Sequence, residues 1–175
     1  LMPKTHLRIF ILGGVSLAKG GDVMEAVALD AARSKLPIEF HLLGYPHRPM
    51  RVQPHASLTI HGPYDDADLP ALLDRLQPDV VWFPALWPET YSYTLSACLQ
   101  AGLPVVAPNI GAFTERLSER PWTWLHPWST TTDEWLTFFQ DIRQRHFVQG
   151  TPPVPALTAP PASLGARLQP WNYEH

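Results

Sequence analysis

A single cysteine, Cys98, excludes a disulfide within this chain of 175 residues. It stands in helical register with Leu95 and Leu99, so a packed thiol is expected there rather than a nucleophile. One cysteine also cannot build a structural zinc site, and the eight histidines include no i, i+4 pair on a helix. Basic residues are few: 13 Lys and Arg against 16 Asp and Glu leave a net charge of −3. That balance gives no general attraction for the phosphates of nucleic acid. No apolar run reaches the length of a membrane span, and the N-terminus carries no signal-peptide pattern, so the cytoplasm is the expected compartment.

What is present is an ordinary globular composition, 45% hydrophobic and 17% charged, at a length that suits one well-buried domain. Short apolar runs alternate with helical periodicity. Residues 7–12, 38–43, 57–60, 79–83, 105–107 and 122–125 read as strands. Between and after them, helices are expected from Asp22 onward, over residues 66–76, from Thr90 or Ser92 to Gly102, over 111–118 and over 131–147. Asp22 is the expected cap of the first helix, and the Asp66-Ala67-Asp68 run is expected to cap the second. Residues 45–55 read as a loop. This alternation predicts an α/β, Rossmann-like, doubly wound parallel sheet of about six strands with helices on both faces. It should occupy residues 1–148. Residues 149–175 hold six of the 20 prolines without a sustained period and are expected to run extended or partly disordered. The Leu-Met-Pro-Lys start reads as a boundary inside a longer protein.

The chain is organised around residues 84–115, PALWPETYSYTLSACLQAGLPVVAPNIGAFTE. A strand ends at Pro84, a loop carries Glu89, and a helix opens on hydroxyls. Gly102 is the expected C′ residue, and Pro104 precedes the next strand. Ligands of open α/β sheets bind at the carboxyl ends of the strands. Three loops converge there: residues 13–20, 61–64 and 84–94. A helix N-terminus with Thr90, Tyr91, Ser92, Tyr93 and Thr94 beside Glu89 suits an anionic ligand rich in hydroxyls. Self-capping by Thr90 or Ser92 is the plainer reading, and the two are compatible.

The pattern P-E-T-Y-S-Y-T-L-S-x-x-L-x-A-G-L-P-V-V-A-x-x-x-G-A-F-x-E resembles the C-terminal, nucleotide-sugar-binding half of GT-B glycosyltransferases, and within those glycosyltransferase family 4, the glycosyl transferases group 1. The resemblance spans roughly residues 7–147 and is sharpest over 88–115. It implies that Glu89, the first carboxylate of an E-x7-E motif, accepts hydrogen bonds from donor-sugar hydroxyls. Lys19, in a K-G element before Gly20, would hold the diphosphate. Gly14 and Ser16 would line the same loop, with Ser16 able to hydrogen-bond a phosphate. Gly62 and Tyr64 would form a base-binding loop, where Tyr64 either stacks on a base or packs.

Two positions depart from the pattern. The second Glu of E-x7-E falls at Ala97, which cannot bind ribose hydroxyls, and an arginine common five residues before the lysine falls at Gly14. Asp66-x-Asp68 spells a metal-binding sequence of another glycosyltransferase fold, but at a helix start capping explains it. Glu115 and Arg116 are expected to make contacts within their own helix, and His126 to be packed or on the surface. The resemblance thus implies a retaining, metal-free transfer from a nucleotide-diphosphate sugar to a glycan or lipid-linked acceptor. Its partner would be an N-terminal acceptor-binding domain outside this chain, through which any peripheral membrane contact would run. The isolated domain would be inactive. A catalytically degenerate GT-B half that binds a sugar nucleotide, glycan or protein is the alternative from another class; an epimerase or hydrolase would need further carboxylates or a cleft histidine.

Overall fold

The computed structural model describes residues 6–17, 19–50, 58–85 and 92–148. Glu89, Thr90, Tyr91, the Ser92 side chain and residues 149–175 lie outside what it describes, and so does the expected boundary at 148/149. The strands are β1 (Leu7–Val15), β2 (Ile38–Pro46), β3 (Leu58–Gly62), β4 (Val80–Trp82), β5 (Val105–Pro108) and β6 (Thr123–His126). They form one parallel sheet in the order β3-β2-β1-β4-β5-β6. The helices are α1 (Gly21–Arg33), α2 (Leu69–Leu76), α3 (Ser92–Gln100), α4 (Gly111–Leu117) and α5 (Thr132–Ile142). No helix among the described residues is long and apolar enough to cross a membrane.

Side chains alternate across each strand, so the sheet carries a core on either face. One face sets Ile9, Phe40, Trp82 and Trp124 against Met24, Val27 and Ala31 of α1 and Trp135, Phe139 and Ile142 of α5. The aromatic rings there meet edge-on or tilted, with Trp82 centred 5.1 Å from both Trp135 and Phe139. Such pairs add roughly 0.5–1.5 kcal/mol each beyond the area they bury. The other face sets Phe10, Val81, Phe83 and Ala107 against Leu69 and Leu73 of α2, Leu95 and Cys98 of α3, and Phe113 and Leu117 of α4. Burial pushes the Cys98 thiol up to about 12, so it stays protonated and inert as expected of a packed thiol.

Several expected boundaries shift for identifiable reasons. β1 does not stop at Leu12, nor β2 at Leu43: Gly13 pairs with Gly44, Gly14 with Tyr45 and Val15 with Pro46, carrying both strands to the sheet's carboxyl edge. Tyr45 and Pro46 are therefore strand, not loop. Asp22 does not cap α1. The N-cap is Gly20, without a side-chain cap, and Asp22 instead binds Arg48 at 2.6 Å. Residues 66–68 form a 3₁₀ turn before α2, and neither it nor α2 has a side-chain cap, so the capping expected of Asp66-x-Asp68 is absent among the described residues. β4 is shortened to three residues, although the amides of Asp79 and Phe83 still reach the carbonyls of Arg8 and Val106.

α5 opens with a capping box, Thr131 and Glu134 exchanging bonds, and passes at Arg143 into a π-helical segment ending at Val148. α3 closes as expected at Gly102. Leu103 N–H reaches the Cys98 carbonyl and Gly102 N–H the Leu99 carbonyl, a Schellman pair. At the far end of the sheet, Arg8 closes α2 by donating to the carbonyls of Leu76 and Gln77, and its own amide donates to Asp79 at 2.8 Å.

His126, at the end of β6, is packed between Trp135 and Phe138 at 5.1 and 4.1 Å, and its Nε2 is buried without a partner among the described residues. Burial drives its pKa down from 6.5 to about 4. Below the unfolded value the unfolded chain binds a proton that the folded chain refuses, so stability falls as pH drops from about 6.5 to about 4. The full loss is roughly 3 kcal/mol at 1.36 kcal/mol per unit. His126→Leu should flatten that part of the pH profile of urea midpoints; an unchanged slope would show that His126 does not set it.

Gly20, at φ +86, is seated on the chain leaving β4. A Cβ there would fall 1.8 Å from the Pro84 carbonyl oxygen and 2.5 Å from its carbon. Gly20→Ala therefore has to separate two backbones, beyond the ordinary cost of about 1 kcal/mol for a non-glycine residue at positive φ. The expected result is a lowered thermal midpoint together with changed amide shifts in both loops, read by NMR. A variant with native stability and native shifts would contradict the contact.

Candidate functional site

β1 and β4 are adjacent in the sheet, and from them the chain winds in opposite directions, so the loops leaving their carboxyl ends part and leave a crevice. The loop after β1 is a tight turn. Ser16 organises it: its carbonyl accepts from Gly21 N–H at 3.0 Å, and its Oγ accepts from Lys19 N–H at 3.2 Å. The hydroxyl hydrogen of Ser16 remains a donor. Lys19 is half-buried at the start of α1, whose first turn has no side-chain cap. A cation therefore stands beside the positive end of a helix.

The turn is held to the far side of the crevice by Gly20 against Pro84, and the first turn of α3 completes the contact. Thr94 lies over β1: its Cγ2 would be 3.9 Å from a Cβ placed on Gly13. Its Oγ1 is buried and has no hydrogen-bond partner among the described residues. A buried, unpaired hydroxyl costs about 1–3 kcal/mol unless something satisfies it. This polar atom thus faces the point where the two loops meet.

On the other side, Tyr45 lays its ring over Gly14, whose missing Cβ would lie 2.8 Å from the ring's Cζ and Oη. Tyr45 is 57% exposed. It is a site-bordering residue that the sequence reading placed in a loop. The signal that would have found it is its strand pairing with Gly14. Its neighbour His47 accepts at Nδ1, or donates from it, at 3.1 Å from the Val15 carbonyl, a contact only the donor tautomer satisfies. Arg48 then grips α1 through Asp22 and Glu25, and these carboxylates hold its guanidinium above its ordinary range.

The third loop approaches through Tyr93, whose hydroxyl donates to the Asp66 carbonyl and so ties α3 to the segment after β3. Tyr64 is half-buried against the core under α3, and desolvation pushes its phenol up to about 12. Gly62, at φ +90, has open space where a Cβ would stand. Tyr64 also borders a groove of about 620 Å³ with Asp68, Leu72 and Arg75, which lies along α2 and away from Lys19. Of the expected residues, Gly14, Ser16, Lys19 and Thr94 are brought together, and Gly62, Tyr64 and Tyr93 sit along the β3 side.

Ala97 is 7% exposed and buried in the core shared with α2, so position 97 offers no polar contact. Arg116 does not stay within α4 as expected; it donates to Ser96 of α3 at 2.8 Å. Among the described residues no group of three or more His, Cys, Asp or Glu side chains could hold a metal ion.

No protein-family model matches the sequence, and no curated protein does. Solved structures do match. HepE (Alr3699) of Anabaena, solved with UDP and glucose, superposes at TM-score 0.57 and 17% identity over 79% of this chain. The chain spans 39% of that protein's length. The C-terminal domain of the glycosyl transferase group 1 family protein LpcC of Francisella tularensis matches at TM-score 0.60 and 13% identity, covering 82% of this chain and 78% of that one. The catalytic domain of the cholesterol-α-glucosyltransferase of Helicobacter pylori matches at 0.54 and 17%, covering 82% and 91%. At these identities the likeness concerns the fold. This chain has the Rossmann-like fold of the C-terminal domain of group 1, GT-B glycosyltransferases.

Proposed function

We propose that the chain is the donor-binding domain of a glycosyltransferase and that the crevice between the β1 and β4 loops takes a nucleotide-diphosphate sugar. The observation that carries this reading is the placement of Lys19, the uncapped start of α1 and the unpaired Thr94 hydroxyl around one backbone contact, Gly20 on Pro84. The presence of UDP and glucose in HepE supports it by analogy of fold.

In such a transfer the bond from the sugar to the diphosphate breaks, and negative charge grows on the leaving group. Lys19 and the amides of the uncapped turn are placed to stabilise that charge without a metal. Glu89 would orient the sugar by accepting from its hydroxyls. A second domain would bring a glycan or lipid-linked acceptor and exclude water from the cleft. Transfer with retention and a hexosyl donor belong to the same proposal, and the chain alone should transfer nothing.

The buried, apolar Ala97 favours a second reading, a non-catalytic module that keeps the diphosphate contacts and lacks the ribose contact.

Calorimetric titration with UDP, GDP and their sugar conjugates tests the site. Lys19→Ala and Glu89→Ala should each weaken binding of the preferred nucleotide by about tenfold or more, the scale of a lost charge-assisted bond. Titrations in which both variants match the wild type would place the ligand elsewhere. Thr94→Val separates function from packing. It removes a buried hydroxyl without a partner, so thermal stability should hold or rise by about 1 kcal/mol while nucleotide affinity falls. A variant that loses stability and keeps affinity would make Thr94 structural.

A further inference from the structure

α2, α3 and α4 cover β1, β4, β5 and β6 on one face of the sheet, and the outer strands on that face carry Glu39, His41, Thr59 and His61. Three of these form a chain of contacts. His41 Nε2 lies 2.9 Å from Glu39 Oε1, and His41 Nδ1 lies 3.0 Å from His61 Nε2. The ring of His41 is stacked on Phe10 with centroids 4.6 Å apart and planes inclined by 10°, which fixes its orientation. His61 is exposed.

A carboxylate can only accept, so Glu39 takes the Nε2–H of His41 and leaves Nδ1 of the neutral ring with its lone pair aimed at His61. That is the arrangement a metal-binding histidine uses: one nitrogen donates to a carboxylate, and the other is free to ligate. We infer that His41 Nδ1 and His61 Nε2 form a two-histidine site for a divalent transition-metal ion, with Glu39 as the positioning residue behind His41. In the metal-free protein the 3.0 Å separation is a hydrogen bond from His61 Nε2–H to His41 Nδ1. Metal binding requires only that His61 carry its proton on Nδ1 instead.

The separation also selects the ion. With metal–nitrogen bonds of about 2.1 Å, nitrogens 3.0 Å apart subtend about 90° at the metal. That is the cis angle of square or tetragonal coordination, which Cu²⁺ and Ni²⁺ prefer, and not the wider tetrahedral angle of zinc. Water fills the remaining positions on this open face. Arg8, 3.8 Å from Glu39 and over the Phe10 ring, opposes an added cation, which limits the site to modest affinity.

The test is titration of the untagged full chain with NiCl₂ alone, followed by calorimetry and by the thermal midpoint. Wild type is expected to bind one Ni²⁺ at this site and to gain thermal stability, since the ion binds only the folded arrangement. His61→Ala, at an exposed position, should lose that binding at least tenfold, and His41→Ala should behave alike. Glu39→Gln should weaken it by about tenfold, the usual scale for a residue that orients a ligand. His6→Ala, far from the pair in sequence and on no part of it, should leave the isotherm unchanged. Absence of Ni²⁺ binding by wild type at millimolar metal overturns the assignment. So does a His61→Ala isotherm that matches wild type.

Discussion

The architecture of the candidate site depends on one close approach between two stretches of backbone. Gly20 rests on the carbonyl of Pro84 at a spacing that no side chain could share. Because β1 and β4 are neighbours, the loops that follow them would otherwise diverge above the sheet and leave Lys19 and α3 on separate banks. The contact converts two loops into one surface. The rest follows from it: α1 begins directly at that point, Ser16 ties the turn through its carbonyl and Oγ, and Thr94 comes to lie over Gly13.

The two cores support this edge differently. On the α1/α5 face large aromatics from β2, β4 and α5 interlock, and His126 is drawn into that wall as a neutral ring. On the opposite face smaller side chains from α2, α3 and α4 fill the space, with Cys98 and Ala97 among them. The aromatic face is the stiffer support, since rings packed edge to edge have few alternative arrangements. The α3 face is held more by polar ties across helices, Arg116 to Ser96 and Tyr93 to the Asp66 carbonyl. The chain therefore keeps the base of the crevice rigid and carries its ligand groups on a lighter scaffold.

Much of this was legible in the sequence because the strands are short apolar runs and the helices keep their period. Parallel strands buried on both faces read as continuous hydrophobic stretches, and residues such as Val80, Val81 and Trp82 announce themselves. The sequence reading erred where backbone contacts decide. Gly13 and Gly14 look like a strand end, yet they continue the ladder because Gly44 and Tyr45 stand opposite them. Asp22 looks like a cap, but a charged partner from across the chain, Arg48, holds its carboxylate. Tyr45 and the Arg116–Ser96 bond arise only from tertiary placement, as does the seat of Gly20 on Pro84. The K-G pair pointed to the right turn without indicating what the glycine is for.

The most direct measurement of the central idea, that the β1 and β4 loops act as one ligand surface, is hydrogen exchange across the chain with and without saturating UDP. The account predicts that amides of residues 16–21 and those around Thr94 slow together, because a diphosphate held at the joined loops restrains both. Slowing confined to the groove along α2, near Tyr64 and Arg75, or no slowing in either loop, would contradict it.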